Sequence, residues 1–217
     1  MRNLQNSQTG QLAFDFRLDA HPARIIELKP RQTPSLSSQA AGTQGTIPLG
    51  TPGTLGTIGT GAFGAISAAE QYFLMGSLLD DGTPDRIDEA IKAYRRALEE
   101  DPDLVAALIN LANIRYSRDE LAEAQALYER AILLDPSYFE AHFNLGNIFH
   151  DLGRYREAQA CYREALRLNP QYAEAHFYLA VTLEKGGHSH EARTHWRAYQ
   201  QLAPQGEWVD LAREFSD

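Results

Sequence analysis

FEAHFNLGNIFHDLGRYREAQACYREALRLNPQY, running from Phe139 to Tyr172, is the stretch whose reading decides the fold. Phe139 to Leu152 places His142, Leu145, Gly146 and Phe149 at three-and-four spacing, a stripe one helix face wide. Gly153-Arg154 marks a helix end and turn. Tyr155 to Leu168 then opens a second stripe through Ala158, Cys161, Tyr162, Ala165 and Leu168. Asn169-Pro170 stops it, because proline disfavours a helical residue before it and cannot continue the hydrogen-bond ladder. The spacing predicts two helices packed on one another. Gly146, Ala158 and Ala165 fall where the helices approach, and Phe149 and Tyr162 fill the remaining space.

The same unit recurs on both sides. Ala90, Ala124, Ala158 and Ala192 keep step with Tyr94, Tyr128, Tyr162 and Trp196 and with Pro102, Pro136, Pro170 and Pro204, all at a period of 34 residues. Three columns sharing one period predict a stacked repeat array rather than a single compact core. Such arrays offer an extended surface for a partner and rarely carry chemistry of their own.

This pattern resembles the tetratricopeptide repeat (TPR): a bulky residue at position 4, Leu-Gly at 7 and 8, an aromatic at 11, Ala at 20, an aromatic at 24, Ala at 27 and Pro at 32. Copy three fits throughout, with His142 in the bulky position. Copy two (105–138) has Arg115 where an aromatic is usual. Copy four (173–206) has Tyr199 in the small-residue slot, which suggests that the stack ends there. Copy one (69–104) fits through Tyr72, Gly76, Ala90 and Tyr94, provided two extra residues sit near Asp81-Gly82-Thr83-Pro84. After the last copy, Trp208, Leu211, Ala212 and Phe215 follow at i, i+3, i+4 and i+7, so residues 207–217 read as a capping helix over the last open face. The expected fold is an all-α TPR solenoid over residues 68–217, with four helix pairs and a cap.

The first third differs in kind. Residues 32–67 carry no charge and are rich in Gly, Thr, Ser and Pro, the composition of a flexible linker. Within residues 1–31, Leu12, Phe14, Phe16 and Leu18 alternate with polar residues, Asp19 to Pro22 reads as a turn, and Arg24 to Lys29 follows with Ile25, Ile26 and Leu28. That predicts a small β-hairpin, and a lone hairpin needs something to pack on. The Gly10–Phe16 run followed by a linker and repeats is also similar to the tail of bacterial MerR-type regulators fused to TPRs. Residues 1–9 hold no recognition helix, so the DNA-binding residues of that family are not carried over, and the reading would be a regulator whose DNA-binding part lies elsewhere.

Composition points the same way. The single cysteine, Cys161, supports no disulfide framework, and residues 1–10 are polar with no apolar run after them, so a reducing, cytoplasmic setting is expected. The net charge of −9 is unevenly placed: residues 1–67 hold five Arg/Lys against three Asp/Glu, and the rest hold 15 against 26. An acidic array is a poor binder of phosphate backbones or anionic lipid, so neither nucleic acid nor membrane is the expected ligand. His188, His190 and His195 gather near one turn, but spacing alone is no ligand set. No phosphate loop or nucleophile motif is present. An enzyme, a metal or a cofactor is not expected.

In this repeat family the first helix of each unit lines a concave groove. The resemblance therefore implies a peptide-binding face made of Asn110, Asn113 and Tyr116 from copy two, Phe143, Asn144, Asn147 and His150 from copy three, and Phe177 and Tyr178 from copy four. An asparagine amide donates and accepts together, suiting it to an extended peptide backbone, although asparagine at these positions also serves to hold adjacent helices. The clamp that chaperone co-factors use for a terminal carboxylate is not expected, since Ile109, Glu140, Phe143, Glu174, Phe177 and Tyr178 stand where its cations would be. The expected partner is a protein or peptide segment, neutral or basic, because Glu140, Asp151, Glu174 and Glu184 outnumber Lys185 in the expected groove.

Overall fold

The structure, a computed structural model, describes residues 66–216. The expected hairpin, the Gly10–Phe16 motif and almost all of the expected linker lie outside the described residues. Among the described residues there are nine α-helices and no strand: α1 Ala68–Leu79, α2 Pro84–Glu100, α3 Val105–Ser117, α4 Leu121–Leu134, α5 Phe139–Asp151, α6 Tyr155–Leu168, α7 Ala173–Lys185, α8 Ser189–Leu202 and α9 Val209–Ser216. Consecutive helices pair as α1/α2, α3/α4, α5/α6 and α7/α8, each pair packs on the next, and α9 lies on α8. Four helix pairs with a terminal helix is the architecture expected from the 34-residue period.

Each boundary has a local cause. Ser67 caps α1 in a reciprocal box: its Oγ accepts from the Glu70 amide at 3.2 Å, while the Glu70 carboxylate accepts from the Ser67 amide at 2.7 Å. The turns inside the later repeats are three residues long and place one residue in the left-handed region, filled by Gly153 (φ 71°) and Gly187 (φ 76°) in repeats three and four and by Asp119 (φ 62°) in repeat two. In repeat one the two extra residues do not simply lengthen the turn. Pro84 starts α2 nearly a turn early, where its missing N–H is no loss, and α1 ends at Leu79.

The core is a row of aromatic side chains set against small residues. Tyr94, Tyr128 and Tyr162 on the outer helices are fully buried. A Cβ at Gly146 would lie 2.6 Å from the Tyr162 ring, and one at Gly76 would lie 2.7 Å from Tyr94, so glycine is what admits the tyrosine in these two pairs. Arg115 stands where an aromatic was expected and is buried, held by ion pairs to Glu120 and to Glu123 at 3.2 Å. The buried guanidinium thus fills an aromatic's place with its charge satisfied from the next helix. Arginines also stitch repeat to repeat along the outside, as in Arg118–Asp88 (2.6 Å) and Arg163–Glu191 (2.7 Å).

At the end of the stack, Tyr199 is buried 5.3 Å from the ring of Phe177, and Gly206 supplies the space its hydroxyl end needs. Trp208 stacks on Phe177 at 5.6 Å, Phe215 meets Trp196 at 5.9 Å, and Ala212 is fully buried. Gln200 donates to the Ala212 carbonyl and to Ser216 Oγ, and Arg197 donates to the Ser216 carbonyl, so α8 both covers and caps α9. No helix among the described residues is long and apolar enough to cross a membrane.

Candidate functional site

The residues expected to form the peptide face lie on α3, α5 and α7, the inner helices of three successive repeats. Most of their polar atoms are turned toward one another. The Tyr128 hydroxyl donates to Asn113 Oδ1 at 2.6 Å, and the Asn144 amide donates to the same oxygen at 3.0 Å from the next repeat. Tyr162 repeats the first of these bonds on Asn147 Oδ1 at 2.8 Å. Asn110, fully buried, donates to the Tyr94 hydroxyl at 3.3 Å. The Tyr116 hydroxyl donates to Asp151 at 2.6 Å across the same seam. Of the two uses expected of these asparagines, the bonds that Asn110 and Asn144 make here are those that hold helices together. Both amides join neighbouring repeats, and replacing them would weaken the array as well as any complex.

The aromatic members divide into two groups. Phe177 is 1% exposed and surrounded by Tyr178, Trp196, Tyr199 and Trp208, so it anchors the capped end of the stack. Phe143 and Tyr178 meet edge-on at 5.3 Å, and Phe143 is also 4.9 Å from Tyr172, forming an aromatic step between repeats three and four. Asp151 and Glu174 both act on the Tyr178 hydroxyl, which burial first and these carboxylates second hold well above its ordinary pKa. Burial also raises Asp151 itself. Glu184 turns away to α8, accepting from Ser189 and, at 3.4 Å, from Trp196 Nε1. The acidic character of this face thus rests on Glu140, Asp151 and Glu174.

Hydroxyl partners of the asparagines were the part that spacing did not supply. The signal was present: tyrosine rather than phenylalanine at 94, 128 and 162 in three consecutive copies.

Two histidine arrangements can be assigned by proton accounting. Thr182 gives its one hydroxyl proton to the Tyr178 carbonyl at 2.7 Å, so His150 Nδ1, 2.8 Å from that hydroxyl, is the donor. His176 Nε2 faces the Pro170 carbonyl at 3.1 Å and must carry a proton, leaving its Nδ1 to accept from His195 Nδ1 at 2.9 Å. His142 makes the same contact with the Pro136 carbonyl at 3.0 Å. The turn residues His188 and His190 are exposed, and His195 pairs with His176 instead of with them. No cluster of three or more metal-ligating side chains occurs among the described residues.

The His176–His195 pair predicts an acid-labile array. Burial, and for His195 also the neighbouring His176, lowers both pKa values, His195 to about 4. The unfolded chain takes up its protons near pH 6.5, so stability is full above that value and is lost as the pH falls toward 4. Asp80 and Asp151, raised by burial, act in the opposite sense. The difference between wild type and His195→Gln is therefore the readout: the wild-type melting temperature should fall more steeply between pH 7 and 4.5. Parallel pH profiles would rule this pair out as the cause.

Comparison with known proteins agrees with this architecture. A TPR-repeat family model matches residues 112–153 and 146–187, and a tetratricopeptide-repeat model matches residues 85–132. The crystal structure of YrrB, described as a TPR protein with an unusual peptide-binding site, is 22% identical with a TM-score of 0.60, over 68% of this chain and 74% of its own. The crystal structure of MamA is 22% identical with a TM-score of 0.57, over 64% of this chain and 80% of its own. At that identity the likeness is one of fold. No curated protein matches the chain. Residues 85–187 thus carry tetratricopeptide repeats, and the described residues fold as a helical solenoid of the TPR type.

Proposed function

We propose that this chain is an interaction adaptor that holds an extended peptide segment along α3, α5 and α7, that the segment is neutral or basic, and that the role is binding rather than catalysis. The observation that carries the reading is the acidic, aromatic strip at repeats three and four. Asp151 and Glu174 bear on Tyr178, Phe143 stands beside it, and Glu140 occupies the equivalent first turn of α5. A carboxylate rim selects against acidic segments. YrrB, a neighbour in fold, is described as having a peptide-binding site, which supports this use of the architecture. The MerR-type kinship rests on Gly10–Phe16, outside both the described and the matched residues, and adds no observation of its own.

The clean probes are the carboxylates rather than the asparagines, because Glu140 and Glu174 are only partly buried. Reversing both to lysine should reduce capture of neutral and basic peptides on an array about tenfold, corresponding to about 1.4 kcal/mol. The helix-dipole cost of a first-turn lysine is about 0.3–1 kcal/mol at each site, too little to unfold the array. Unchanged capture by the doubly reversed protein, with its helicity intact, would place the partner on another face.

A further inference from the structure

The last repeat holds a pair of imidazoles that helix packing alone does not require. His176 on α7 and His195 on α8 stand with their Nδ1 atoms 2.9 Å apart and their ring centroids 5.2 Å apart. In the three preceding copies the position of His195 is filled by Ala93, Leu127 and Cys161, at the same 34-residue period. Ala93 is buried, and Leu127 and Cys161 are partly buried against the core. An apolar or weakly polar side chain therefore serves the packing at this place. Repeat four puts a second imidazole there, and a single proton lies between the two facing nitrogens.

We propose that His176 Nδ1 and His195 Nδ1 are the two protein ligands of a zinc-class divalent metal site whose remaining positions are taken by water. Imidazole is the commonest protein ligand for such ions. The spacing of the rings suits one ion. With zinc–nitrogen bonds of about 2.0–2.1 Å and tetrahedral angles, two imidazoles on one ion have centroids roughly 5 Å apart. The nitrogens would then stand roughly 3.3 Å apart, a separation that tilting the two rings supplies without moving either helix. The proton between the neutral rings passes to His195 Nε2, so none is released.

His176 is already oriented for this role. Its Nε2–H donates to the Pro170 carbonyl at 3.1 Å, which leaves the Nδ1 lone pair directed at His195. Metal-bound histidines are held in the same way, through the other ring nitrogen. His142 makes the equivalent bond to Pro136, so that contact by itself belongs to the repeat, and the facing imidazole is what sets repeat four apart. Both rings are partly exposed, which gives an ion and its waters access. Glu191, one turn before His195, is held by Arg163 at 2.7 Å, so the two imidazoles supply the protein's share of the coordination. An ion here links α7 to α8 beside the aromatic hub, since His176 precedes Phe177 and His195 precedes Trp196, whose rings are in contact. Binding to the folded repeat in preference to the unfolded chain stabilises this end of the stack.

The test is a titration of the chelator-treated full chain with zinc chloride alone at neutral pH, followed by calorimetry and by melting temperature. Wild type should bind zinc and melt at a higher temperature in its presence. His176→Gln and His195→Gln, on different helices, should each weaken the strongest site by about tenfold or more, because losing a direct ligand costs at least as much as losing an outer partner. Replacing the exposed turn residues together, His188→Gln with His190→Gln, should leave that affinity unchanged. So should Cys161→Ser, in the equivalent column of repeat three. No zinc binding by wild type overturns the proposal. So does binding that survives both single replacements, or that disappears with the turn or cysteine variants instead.

Discussion

Truncating Phe177 to alanine should lower the stability of the array by about 3–5 kcal/mol, the usual range for removing a fully buried aromatic side chain. Family position alone would place Phe177 on the binding face, where its loss would cost affinity and little else. In the structure its ring is the hub of the last repeat, within 5.6 Å of the rings of Tyr178, Trp196, Tyr199 and Trp208. The cavity would open between α7, α8 and the segment before α9, and rigid aromatic neighbours collapse poorly into such a space. For a chain of this size the expected fall in melting temperature is roughly 6–20 °C. The chain has two tryptophans, Trp196 and Trp208, and both touch Phe177, so their fluorescence reports this end of the stack directly. A loss below about 1 kcal/mol would contradict the hub assignment.

Removing residues 207–217 should cost a comparable amount. Trp208, Leu211 and Phe215 are half-buried and Ala212 fully so, and together they amount to roughly two completely buried side chains, about 3–6 kcal/mol. The truncation would also expose Phe177, Trp196 and Tyr199 on one contiguous face, and an uncovered repeat end of that kind associates with other molecules. A melting curve and a sedimentation measurement check both consequences. A truncated protein that stays monomeric and melts unchanged would mean that α9 serves a purpose other than covering the last repeat.

Much of the architecture was legible beforehand. The 34-residue columns located four helix pairs, the proline positions located their ends, and the i, i+3, i+4, i+7 pattern after Gly206 located the cap. The extra residues of repeat one were also visible, although their absorption into an early start of α2 was not, since Pro84 reads as a breaker until its place in the first turn is seen. Arg115 was visible only as an exception. Its pairing with Glu120 and Glu123 explains how a cation can occupy an aromatic's position.

The candidate face was legible as a set of positions and not as a set of roles. Asn110, Asn113, Asn144 and Asn147 were placed on the inner helices, and the structure adds their partners: Asn113–Tyr128 and Asn147–Tyr162 tie the two helices of one repeat, while Asn110–Tyr94 and Asn144–Asn113 link successive repeats. Glu184 turned out to serve α8, while Asp151 and Glu174 share the surroundings of Tyr178.

What the chain's own pattern determined was the helix pairs, their order and their ends, because those depend on residues within about one turn of each other and on turn residues that stop a ladder. What only the tertiary structure decided was which inner side chains face a neighbour. Asn113 meets Asn144 across 31 residues and Tyr116 meets Asp151 across 35, contacts set by the rotation from one repeat to the next. That rotation is the net result of side-chain packing over each whole interface, between Gly146 and Tyr162 as much as between Phe143 and Tyr178. Spacing along one helix carries no information about it.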